Sequence, residues 1–274
     1  MGGLFLRKVG GAASLAVQLQ KILPLLFHPL SSQWKRGHFK PLFATAVLAN
    51  LALIAFYGIY ITEELSAMGA DGLPKVFVGV LLLETIVMLG YLATSSYTKG
   101  PAVALDAGKT PNSIVSRIVA RTNLLVSGLI LIIAGRDLFL PGTILNFIPR
   151  DDIYLEWTGA FLHSPPEGSP EAETNAVDRE FFVGEKYLSQ FLALNMLIGC
   201  LYKFVGAFVI RCRNDGGGQI QAKMIWKSQA IGNAAILYLF RLFSPAAVTA
   251  SLDFRWHLML IAYETLILGL YAFV

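Results

Sequence analysis

From Pro41 to Ile61 the chain carries no charged side chain. Long apolar stretches with no more than one or two charges recur along the chain, and they constrain the fold more than any other feature of the sequence. A membrane-crossing helix needs about 20 mostly apolar residues, because the hydrocarbon is about 30 Å thick and the helix rises about 1.5 Å per residue. Only helices and closed barrels satisfy their backbone polar groups in lipid. These runs lack the alternating apolar and polar pattern of a barrel strand, so they predict helices. The composition agrees: 55% of the 274 residues are hydrophobic and only 15% are charged.

Six segments meet the requirement: Pro41 to Ile61, Val76 to Tyr97, Val119 to Leu140, Tyr187 to Ile210, Ser228 to Ala250 and His257 to Val274. The expected fold is an all-α, polytopic transmembrane bundle of about six spans. Its hairpins would cover residues 41–99, 113–213 and 220–274, with an acidic extramembrane loop over 136–186. Charge in the connections alternates. Residues 1–40 hold six Lys or Arg and no acid, whereas residues 136–186 hold ten Asp or Glu against four Lys or Arg. Such alternation is what the positive-inside rule produces, with both ends on the basic side. The positive net charge therefore reads as topology and not as nucleic-acid binding.

Residues 1–40 form a separate basic segment. Arg7, Gly11, Ser14, Gln18 and Lys21 fall on one helical stripe with apolar residues elsewhere, and Pro24 and Pro29 follow. That pattern predicts an amphipathic interfacial helix on the membrane surface. Arg and Ser without acid also fit a mitochondrial import sequence, so an inner-membrane location and another organellar membrane both stay open.

Polar residues inside the spans are the candidate site. Glu84-Thr85 is followed by Tyr91, and Glu264-Thr265 by Tyr271 at the same spacing; Asn195 precedes Tyr202 likewise. Seven residues are two helical turns, so each pair shares a face. Asn50, Asn123 and Asn233 mark the preceding helices. The regularity predicts three related hairpins. Depth counting places Glu84, Asn195 and Glu264 in one layer, which Arg241 reaches from the fifth span. An isolated charge there costs at least about 2.5–3.5 kcal/mol, so an Arg241–Glu264 ion pair is expected, whereas Lys203 can snorkel to the surface.

This layer of Glu84, Asn195, Arg241, Glu264, Tyr91, Tyr202 and Tyr271 could bind a proton or cation, or it could hold helices together. Six spans in three pairs invite comparison with mitochondrial solute carriers, but the Pro-x-acid-x-x-base signature of their odd helices is missing after Pro141 and Pro245. No catalytic, metal or cofactor motif is expected. Gly108-Lys109-Thr110 lacks the earlier glycine of a phosphate-binding loop, and Cys200 and Cys212 make no metal-ligand pattern. The resulting expectation is a non-enzymatic subunit of a larger membrane complex, contacting lipids and other subunits, such as an energy-transducing mitochondrial inner-membrane assembly. The alternative is a small transporter or channel using the polar layer.

Overall fold

The computed structural model describes residues 2–26, 39–60, 72–94, 114–139, 176–206, 216–251 and 254–273. These form seven α-helices: α1 (Gly2–Leu26), α2 (Lys40–Tyr60), α3 (Gly72–Thr94), α4 (Ile114–Phe139), α5 (Ala176–Val205), α6 (Gly216–Thr249) and α7 (Arg255–Phe273). The fold is all-α. Most of the acidic loop, from residue 140 to 175, lies outside the described residues.

Three helices are long and apolar enough to cross a membrane, over Lys40–Gly58, Lys75–Thr94 and Lys223–Thr249. Gln190–Val205 and Leu258–Leu270 are shorter apolar helical stretches. On α3 the apolar side chains Val76, Val80, Leu83, Ile86 and Val87 are each more than half exposed, whereas Leu81, Thr85 and Met88 are buried. An apolar helix with an uncovered surface is what lipid contact accommodates and water does not.

Helices adjacent in the chain pack side by side: α2 on α3, α4 on α5 and α6 on α7. α6 ends at Ser251, whose positive φ of 61° and amide bond to the Val248 carbonyl close the helix in a left-handed cap. Phe254 follows, buried, and its carbonyl accepts the amide of Leu258 to open α7.

The amino-terminal helix departs from its expected place. α1 runs lengthwise along α6 and α5 instead of lying across the end of the bundle. Phe5 meets Phe240 and Phe243 at 5.1 and 5.5 Å between ring centroids, and Gln20 bonds Gln229, so α1 and α6 are antiparallel. Between those contacts the helices nearly touch: a Cβ on Gly232 would stand 2.2 Å from that of Ala16. Only a residue without a side chain permits this approach. The predicted polar stripe is half right. Arg7 and Gly11 are exposed, but Lys21 is buried.

α5 is also antiparallel to α6, since Gly199 faces Gln229 while Gly206 faces Ile225 and Trp226. α1 and α5 are therefore parallel, with Gly10 against Phe191.

Candidate functional site

The buried polar residues assemble into two clusters of the same composition. In the first, Lys21 of α1 donates from Nζ to both carboxylate oxygens of Glu84 on α3, at 3.1 and 3.0 Å, and to Asn50 Oδ1 on α2 at 3.2 Å. Asn50 Nδ2 donates to Glu84 Oε2 at 3.0 Å. In the second, Lys203 of α5 donates to Glu264 Oε1 on α7, and Asn233 Nδ2 of α6 donates to Glu264 Oε2 at 2.7 Å. Each cluster is one lysine, one asparagine and one glutamate, taken in that order from three successive helices.

The correspondence extends beyond the triads. Lysine and glutamate are 63 residues apart in the first and 61 in the second; asparagine and glutamate are 34 and 31 apart. Ten residues before each asparagine stands a lysine, Lys40 or Lys223. Five before it stands a hydroxyl that bonds back one turn, Thr45 to Pro41 and Ser228 to Met224. After each glutamate, Thr85 bonds the Leu81 carbonyl and Thr265 bonds that of Ile261. Nine residues before each glutamate stands a cation, Lys75 or Arg255. One three-helix unit, α1–α3, thus recurs as α5–α7, with α4 between them. Because each unit has an odd number of helices, the single helix α4 restores the chain direction. The two copies therefore run parallel, as α1 and α5 do.

Comparison of the chain with protein-family models, with curated proteins and with solved structures gave no match.

The three-hairpin recurrence is accordingly redrawn. The Glu-Thr and tyrosine spacing shared by α3 and α7 belongs to the duplication. Asn195 and Tyr202 lie on α5, which corresponds to α1 and not to α3. Asn195 Nδ2 bonds the Phe191 carbonyl of its own helix, about 12 Å along the axis from Lys203 at the standard rise, so it stays out of the layer. Arg241 is exposed and does not meet Glu264. Lys203 takes that role and is only 1% exposed. A lysine near an apolar helix end can snorkel, but a carboxylate within reach is a stronger partner in a medium where water cannot compete. Tyr91 is half-buried, edge-on to Phe43 at 4.7 Å. The side chains of Tyr271 and Asn123 lie outside the described residues.

The copies differ in what surrounds them. The second triad is enclosed, Glu264 being 4% exposed at its side chain. It also joins an amide chain: Gln20 Nε2 donates to Gln229 Oε1 at 2.6 Å, and Gln229 Nε2 donates to Asn233 Oδ1 at 2.8 Å. In the first copy Ala46 stands where Gln229 would be, no such chain forms, and Glu84 is 31% exposed at its side chain. One residue before each lysine, a buried oxygen has no hydrogen-bond partner among the described residues: Gln20 Oε1 and Tyr202 Oη. Tyr202 lies within electrostatic reach of Glu84, in the other half of the molecule. Among the described residues no His, Cys, Asp and Glu cluster could hold a metal ion.

Chemically, each triad is an ion pair fixed by an amide. The lysine neutralises the carboxylate, and the asparagine bridges them by donating to one and, in the first triad, accepting from the other. Both glutamates lie near the middle of their apolar stretches, nine residues from Lys75 and from Arg255.

Proposed function

We propose that this chain is an integral membrane protein that moves a small cation or protons across the bilayer, using the Lys–Asn–Glu triads near mid-depth. The duplication carries the reading. Parallel internal repeats with ionisable groups near the bilayer midplane are the architecture on which many transporters are built, and intramembrane carboxylates tend to lie on ion pathways. Seven crossings follow, since α1 spans the same depth as α6 from Gln229 to Phe243. The charge pattern accommodates the added crossing: the connections after α1, α3 and α5 are basic, and those after α2 and α4 are acidic. Purified protein in liposomes should support ion flux that Glu84→Gln abolishes or reduces at least about tenfold. Flux equal to that of empty liposomes under both proton and alkali-cation gradients would count against transport.

A second reading is favoured by the closure of the second triad. Two self-neutralised ion pairs can serve as interhelical fastenings in a non-catalytic subunit of a larger membrane complex, with the uncovered apolar surface of α3 facing lipid or a neighbouring subunit. The mass of the native particle in mild detergent separates the readings. Co-purifying subunits support the assembly role, and a lone active chain refutes it. The mitochondrial inner membrane is the location proposed for that assembly, and import of the tagged full chain tests it.

A further inference from the structure

We infer that the two triads have divided their roles: Glu84 takes up and releases a proton, and Glu264 stays ionised as the anchor of a structural network. This deepens the transport reading and rests on it for its purpose, though not for its chemistry.

Two differences between otherwise matching sites carry it. Glu84 is 31% exposed at its side chain and Glu264 4%. The lysines also differ in what they would keep if the carboxylate were neutralised. Lys21 Nζ is bonded to Asn50 Oδ1 as well as to Glu84, so a protonated Glu84 leaves the ammonium with an acceptor. Among the described residues Lys203 bonds Glu264 alone, and Asn233 Oδ1 accepts from Gln229 instead. Protonating Glu264 would leave the buried Lys203 ammonium only the carbonyl oxygen of a neutral acid, whereas Lys21 would keep Asn50 Oδ1 as well.

The groups bonded to Glu84 are Lys21 from α1 and Asn50 from α2, and Tyr202 of α5 lies within its electrostatic reach. Proton uptake forms one O–H bond on a Glu84 carboxylate oxygen and weakens the Lys21 Nζ–H to carboxylate hydrogen bonds. Lys21 keeps its own proton, the triad gains one positive charge, and no electrons move. A hydrated metal ion suits the site less well, because the Lys21 ammonium beside both oxygens would repel it.

A lipid-soluble carbodiimide, dicyclohexylcarbodiimide, reacts with carboxyl groups in their protonated form. Applied to the wild-type full chain in liposomes and mapped by peptide mass, it should modify Glu84 several-fold faster than Glu264, their side chains being 31% and 4% exposed. The rate at Glu84 should rise as the medium is acidified. Equal rates, faster reaction at Glu264, reaction at neither, or a rate at Glu84 indifferent to pH would overturn the assignment. Because labelling needs no flux, preferential labelling of Glu84 in a protein that moves no ions would refute transport and leave the proton site standing. Flux without that labelling would do the reverse.

Discussion

Removing one member of the enclosed ion pair gives the sharpest energetic test. Lys203 and Glu264 are 1% and 4% exposed at their side chains, so neither can recover solvation when its partner is lost. Lys203→Met leaves Glu264 with the Asn233 amide alone, and Glu264→Met leaves Lys203 with no acceptor among the described residues. Breaking a buried pair from one side costs about 3–5 kcal/mol, whereas replacing both partners with apolar groups of similar volume is often close to neutral. Asn233 tempers this, since its Nδ2 also loses its acceptor in the double variant, at about 1–3 kcal/mol. The double variant should therefore be less destabilised than either single one, with a coupling of roughly 3 kcal/mol or more. Denaturant unfolding of all four proteins in one detergent measures it as a double-mutant cycle. Additive single-variant costs would show that the two side chains do not meet, and the second triad would fall.

Further expectations follow from the helix contacts. Gly232→Ala places a methyl 2.2 Å from the Ala16 Cβ and 3.2 Å from its backbone Cα, so α1 and α6 must separate; a loss of about 1–3 kcal/mol in thermal or chemical unfolding is expected, and an unchanged midpoint contradicts the close approach. Gln229→Ala cuts the amide chain on both sides and should cost about 1–3 kcal/mol. Arg241→Ala should change stability by no more than about 0.5 kcal/mol, because the side chain is exposed; a large loss would restore the ion pair first expected with Glu264. Cys200, buried and free, should resist maleimide in the folded protein and react after unfolding.

Much of this arrangement is legible before the fold is seen, and the parts that are not share one cause. Glu84 and Glu264 stand out because acids are costly inside apolar helices, and Asn50 and Asn233 mark the helices that partner them. The shared Glu-Thr and tyrosine spacing already sets α3 and α7 beside each other as similar helices. The lysines escape notice because Lys21 and Lys203 sit 63 and 61 residues from their acids, and near helix ends where snorkelling explains a cation well enough. The same locality misplaces α1. With Arg7, Lys8 and Lys21 and no acid of its own, it reads as a surface helix until Glu84 is brought to it. Asn195 misleads in the opposite way: its spacing to Tyr202 copies that of Glu84 to Tyr91, but α5 takes the position of α1 in the second triad. A repeat of three helices read in pairs falls out of phase at the second copy.

The central claim is that a duplicated three-helix unit crosses the bilayer with α1 as a full member. Sidedness tests it most directly. With Cys200 and Cys212 replaced by serine, single cysteines introduced at Gly2 and at Val274 can be probed in sealed vesicles with a membrane-impermeant maleimide. Seven crossings predict that the two positions label from opposite faces. Labelling of both from the same face would return α1 to the membrane surface and contradict the parallel relation of the two halves.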